Sequence, residues 1–131
     1  MVFFNDPLPV EQPAHKAVMM ALAMQAAFPA LAVNWRKRGL ELGLGCGIAQ
    51  GYATLGTIGF DGRRDYAAIG NVTNLAARLC VEATGRQILV DRKIMAKVDG
   101  SVGATELGPL HLEGFTHRVP AFGIATQSIL A

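Results

Sequence analysis

The run from Arg63 to Leu79, RRDYAAIGNVTNLAARL, is the part of this 131-residue chain that most restricts how it can fold. From Gly70 onward it is patterned as a helix with two different faces. At about 100° per residue, Asn71, Asn74 and Arg78 fall on one narrow arc, while Val72, Leu75, Ala76, Leu79 and Ala83 share another. The apolar arc has to be packed, which leaves the polar arc facing outward, where it can meet a ligand. A helix entered through glycine also aims backbone N–H groups and the positive end of its dipole out of its first turn, which suits an anionic or phosphorylated ligand. The residue types agree. An amide holds a sugar through donor and acceptor without adding charge, and a guanidinium meets phosphate oxygens with paired donors. An asparagine at a helix start is otherwise a cap and an arginine one turn later a solvated side chain, so the pattern alone leaves both readings open.

Upstream, Leu42 to Gly51 alternates larger apolar residues with glycine or alanine, the period of a strand whose one face admits another backbone closely. Tyr52 to Ile58 reads as its hairpin partner, and Arg63 and Arg64 as loop charges. No Gly-Lys-Ser/Thr ending makes these glycines a P-loop, and the spacing of Gly45, Gly47 and Gly51 is not the dinucleotide fingerprint; they read as packing glycines. Met1 to Phe4 predicts a short strand stopped by Asn5-Asp6-Pro7. A helix then runs from about Ala14 to Trp35, with Ala17, Ala21, Met24, Phe28 and Leu31 on its apolar face and a kink or interruption expected at Pro29. Downstream, Gly85 to Val90 turns into a short buried strand, and Asp91 caps a helix to Lys97 or Val98. Glu106 to Phe115 and Val119 to Ile124 read as a closing pair of strands.

At Asp65, Tyr66, Ile69, Gly70, Asn74, Ala76, Ala77, Arg78 and Leu79 the chain resembles the class III adenylate/guanylate cyclase catalytic domain, whose signature reads approximately D-Y-T-x-I-G-x-x-V-N-x-A-A-R-L. The similarity continues through Gly47-Ile48-Ala49-Gln50-Gly51, Gly56-Thr57-Ile58-Gly59, the Phe4-Asn5-Asp6-Pro7 turn, Gly85 to Val90 and the closing strands. It implies an α+β, ferredoxin-like fold and a cyclisation of ATP, with GTP possible, to a 3′,5′-cyclic nucleotide and pyrophosphate. By resemblance Asn74 orients the ribose and Arg78 binds the phosphates. Asn71 and Ala67 complete the expected nucleotide contacts, although Ala67 stands where many relatives carry a base-reading Thr or Asp, and a methyl group cannot hydrogen-bond a purine.

The resemblance also implies Mg2+ or Mn2+, but the family's F-x-D-I-x-G-F-T segment and second metal-binding Asp are not in this sequence, so no residue is assigned as a metal ligand. Asp6, Asp61 and Asp65 are not promoted to that role. Residues 1–131 are therefore expected to be one partial catalytic domain, N-terminally truncated, with an exposed sheet edge and a homodimeric or heterodimeric cyclase-domain partner supplying what is missing. The family's frequent lysine in L-K-G is Glu113 here, which would repel phosphate if aimed inward; Arg118 is close enough in sequence to compensate. A noncatalytic cyclase-like regulatory or interaction module is the alternative.

Composition supports one globular module. Half the residues are hydrophobic and the net charge is +2, without the clustered basic and aromatic residues of a nucleic-acid binder. Cys46 and Cys80 read as reduced packing residues, and His15, His111 and His117 lack metal-ligand spacing. The uncharged stretch from Ala17 to Val33 is short for a membrane span and contains Gln25 and Pro29, so no membrane insertion is expected. No secretory signal is evident, and a cytoplasmic location is the simpler expectation.

Overall fold

The computed structural model describes residues 1–6 and 8–125, with the backbone alone at Ile58, Phe60 and 63–67. Its elements are α1 (Pro13–Lys37), β1 (Cys46–Ile48), β2 (Thr54–Phe60), β3 (Arg63–Ile69), α2 (Asn71–Glu82), β4 (Ile88–Asp91), α3 (Arg92–Val98), β5 (Ala104–Leu110) and β6 (Val119–Ile124). Strands β1, β4, β6 and β5 form a four-stranded sheet in that order, while β2 and β3 form a separate hairpin. β1 runs parallel to β4, and β6 is antiparallel to both of its neighbours. This is the α+β class that the sequence predicts.

The alternation along β4 sets the layers. All its residues are buried, and successive side chains point to opposite faces. Ile88 and Val90 join Ala14, Val18, Ala21 and Leu22 of α1 and Ile94 and Val98 of α3 in one core, whereas Leu89 joins Leu79 of α2, Leu112 and Ala121 in another. Helices α1 and α3 therefore cover one face of the sheet, and α2 covers the other.

α1 differs from its expectation in two ways. It continues without a break through Pro29. Pro29 lies on the exposed side, and the lost backbone bond is tolerated within a helix dominated by Ala, Met and Leu, all strong helix formers. The packed face is also different: Ala14, Ala17, Val18, Ala21, Leu22 and Gln25 are buried, while Met24 and Leu31 are exposed. This arc brings the branched side chains of Val18 and Leu22 onto the sheet, and only the N-terminal half of α1 is covered. Gln25 keeps its buried amide paired by donating Nε2–H to the Leu44 carbonyl at 2.6 Å. By length and hydropathy alone α1 is apolar enough to cross a membrane; in this structure its buried side packs on the sheet.

Three further expectations are corrected. Met1 to Phe4 form no strand, since none of the described strands pairs with them. β1 has only the residues Cys46–Ile48 and pairs with β4, not with the strand that follows it. That strand, β2, pairs instead with β3 across the two-residue Asp61-Gly62 loop, where Gly62 takes φ 93°. Asp-Gly between two strands is a strong hairpin signal. It places the backbone of Arg63 and Arg64 in β3, opposite Phe60 and Gly59, rather than in a loop.

Asp91 ends β4 and starts α3 as expected. Its Oδ1 accepts from the Ile94 N–H at 2.9 Å, and its Oδ2 from the Gln50 N–H at 3.3 Å. Burial raises its pKa against the lowering pull of the Ile94 and Gln50 N–H donors and of Lys93. A raised folded-state pKa means that the folded chain holds this proton more tightly than the unfolded chain. The carboxylate's contribution to stability is thus greatest below the ordinary carboxylate pKa and falls as pH rises through the raised value. Asp91→Asn keeps a capping oxygen and should flatten that part of the stability profile in urea unfolding. Asp91→Ala removes the cap, and its cost at neutral pH should be larger, about 1–2 kcal/mol. Equal damage from both changes would show that the site needs the charge rather than the capping oxygen.

Candidate active site

Glycines set the position of α2. A Cβ on Gly47 would lie 2.3 Å from the Cys80 nitrogen and 2.4 Å from the Ala76 oxygen; one on Gly45 would lie 2.7 Å from the Ala83 oxygen, and one on Gly51 3.1 Å from the Val72 Cβ. The segment around β1 therefore runs directly against α2, and the reading of these residues as packing glycines holds. At the helix start a Cβ on Gly70 would be 3.2 Å from the Tyr52 carbonyl oxygen. Thr73 Oγ1–H donates to the Gly70 carbonyl at 2.7 Å, closing the first turn. On the packed side Leu79 is fully buried, with Leu75 and Ala83 around the same core.

The opposite arc of α2 opens onto a cavity of about 430 Å³ lined by Asn71, Asn74, Ala77, Arg78, Val81 and residues 113–116. The structure thus brings Asn71, Asn74 and Arg78 together on one surface. Among the described residues, neither asparagine side chain has a protein hydrogen-bond partner. The second wall comes from the β5–β6 connection. Leu112 is buried in the α2-side core, the Phe115 N–H donates to the Leu112 carbonyl at 3.1 Å, and Gly114 takes φ 88° to make the bend.

Glu113 on this wall reaches Arg78. Its Oε2 lies 3.2 Å from Arg78 Nη1, with the Arg78 side chain 40% exposed and that of Glu113 82% exposed. The wall was not legible in the sequence as part of the site. Leu-Glu-Gly-Phe resembles a family motif apart from Glu113 in place of its lysine, but nothing local says that it lies opposite α2. Arg118 is not among the residues lining the cavity. Ala67 has its backbone in β3 opposite Gly56, and its side chain lies outside the described residues, as do those of Asp65 and Tyr66.

The other expected chemistry is sparse. Among the described residues no group of three or more His, Cys, Asp or Glu side chains is placed to hold a metal ion. Cys46 and Cys80 are free thiols, and Cys80 Sγ lies 3.5 Å from the Gly45 carbonyl oxygen. Burial, with a smaller contribution from Cys80, pushes the Cys46 thiol pKa up and keeps it protonated. A second cavity of about 410 Å³, lined by Phe28, Arg36, Leu42 and Arg86 among others, receives none of the signature residues.

Residues 1–125 match the adenylate and guanylate cyclase catalytic domain, and the chain belongs to that family. The adenylyl cyclase CyaB from P. aeruginosa is similar in structure, with 30% identity and a TM-score of 0.84 over 93% of this chain and 64% of that one. The guanylyl cyclase Cya2 is similar at 26% identity, with a TM-score of 0.81 over 93% of this chain and 62% of that one. The guanylate cyclase domain of RhGC from Catenaria anguillulae, solved with GTP, shares the fold at 18% identity, with a TM-score of 0.75 over 93% of this chain and 64% of that one. The chain thus spans less than two thirds of the length of these solved chains. No curated protein sequence matches it significantly.

Proposed function

We propose that residues 1–131 form one part of a nucleotide cyclase catalytic domain, which converts ATP to 3′,5′-cyclic AMP and pyrophosphate when the missing segment or a cyclase-domain partner completes it. The observation that carries this reading is the convergence of Asn71, Asn74 and Arg78 on one cavity in a chain of this family. In the reaction the ribose 3′-hydroxyl gives up its proton to solvent or to the departing pyrophosphate, its oxygen bonds to the α-phosphorus, the bond from that phosphorus to the bridging oxygen breaks, and pyrophosphate leaves. Asn74 holds the sugar through its amide and aligns the attacking oxygen. Arg78 meets the charge that builds on the phosphate oxygens. Asn71 extends the polar arc along the nucleotide beside the N-terminal turn of α2. Neither Asn74 nor Arg78 serves as a general base.

Ala67 offers no purine-reading group and does not choose between the purines; ATP is the substrate proposed and GTP the other candidate. The carboxylates for Mg2+ or Mn2+ would come from outside the described residues, and a cytoplasmic setting supplies the nucleotide. Exposed Tyr52, Ile69 and Val81 give the hairpin and α2 apolar surface for a homodimeric or heterodimeric partner. The second reading, a noncatalytic module, is favoured by the Glu113 carboxylate on Arg78.

The purified chain should form negligible cyclic nucleotide from ATP with magnesium or manganese. Mixed with a cyclase domain that carries metal carboxylates but lacks its own Asn/Arg pair, it should restore turnover. Robust metal-dependent turnover by the chain alone would overturn the partial-site account. A folded mixed assembly without turnover would favour the noncatalytic reading.

A further inference from the structure

We propose that Glu113 is a positioning residue for Arg78, an exchangeable counter-ion that holds the guanidinium against the 113–116 wall until a polyphosphate displaces it. The inference rests on the reading of Arg78 as the phosphate-binding cation. Arg78 Nη1 meets Glu113 Oε2 at 3.2 Å, and both residues line the cavity that Asn71 and Asn74 face. The carboxylate is on the same surface that the ligand would use.

The setting makes this contact an orienting one rather than a lock. Glu113 directly follows Leu112, which is 1% exposed, and the Phe115 N–H to Leu112 carbonyl bond ties down the bend after it. The backbone at 113 is therefore anchored while the side chain, 82% exposed, has solvent to swing into. One Nη meets one carboxylate oxygen, short of the paired fork that makes Arg–carboxylate contacts strong. Water and salt screen a pair so exposed. A triphosphate offers several anionic oxygens and can engage the guanidinium through two donors, so it wins the exchange. Before exchange, the pair keeps a long side chain at the mouth of the cavity and away from unrelated conformations.

The test is isothermal titration of the full chain with sodium tripolyphosphate at fixed low ionic strength. The comparison covers the parent, Glu113→Gln, Arg78→Ala and the double variant. Glu113→Gln keeps the shape of the side chain and removes its charge, and should tighten binding about two- to fivefold, the range for an exposed ion pair. Arg78→Ala should weaken binding, and in that background Glu113→Gln should have no further effect. Urea midpoints near the parental value show that each variant is folded. If Arg78→Ala leaves binding unchanged, or the parent binds no tripolyphosphate, the phosphate reading of Arg78 fails and this proposal fails with it. If Arg78→Ala weakens binding but Glu113→Gln does not tighten it, only the counter-ion role is overturned. Tightening that persists in the Arg78→Ala background would mean that Glu113 repels the ligand directly, which also overturns it.

Discussion

Arg78→Ala, placed in the chain within the proposed complete cyclase assembly, should lower cyclic nucleotide formation by about 10²- to 10³-fold, the usual cost of one preorganised transition-state contact. Asn74→Ala should cause a loss of the same order. Both side chains lie on the outward arc of α2 and line the cavity, while the core beneath is made by Leu75, Leu79 and Ala83. The substitutions therefore spare the packed face, and the variants should keep the parental assembly state and urea midpoint. Arg78→Lys should recover only part of the loss, because an ammonium cannot present a planar fork to two oxygens. The measurement is kcat and KM of the reconstituted variants. Near-parental turnover from both alanine variants would remove transition-state stabilisation from this helix.

The parts of this molecule legible in its sequence are those set by near neighbours along the chain. The helical period places Asn71, Asn74 and Arg78 on one arc, and the structure puts all three on one cavity. Asp91 caps α3 because an aspartate at a strand end can reach an N–H three residues on. The misses are mostly nonlocal. Alternation from Leu42 to Gly51 suggests a long strand, but β1 is short and its partner is β4, which begins 40 residues later in the sequence. The wall at 113–116 faces α2 only because Leu112 is buried between β6 and that helix, a contact no local pattern announces. The β2–β3 hairpin is different. Asp61-Gly62 carries a local signal for it, whereas the alternation from Leu42 to Gly51 points to the adjacent run Tyr52 to Ile58 as the partner of the earlier strand.

Gly47 supplies the second large effect, because it joins the stability of the fold to the geometry of the site. A Cβ there would meet the Cys80 nitrogen at 2.3 Å, the Ala76 oxygen at 2.4 Å and the Leu79 carbonyl carbon at 2.9 Å. All three are backbone atoms of α2, so no side-chain rotation relieves the clash. Either β1 moves away from β4 or α2 lifts from the sheet and opens the contacts of fully buried Leu79. Gly47→Ala should therefore destabilise the chain at or above the top of the range for overpacking, about 1–3 kcal/mol. Gly56→Ala is the internal control. Among the described residues no atom lies within 4 Å of a Cβ there, and replacing a strand glycine reduces the entropy lost on folding, so it should be neutral or stabilising by about 0.5–1 kcal/mol. Urea unfolding of the two variants beside the parent decides the matter, and equal stability of Gly47→Ala and the parent would show that α2 does not depend on this close approach. Any folded Gly47→Ala population should also carry a displaced α2. A misplacement of about 1 Å can cost roughly 10²-fold in rate even when every site residue is present. In the reconstituted assembly the variant should thus lose turnover beyond its loss of folded protein, with Asn74 and Arg78 intact and the surface they present shifted.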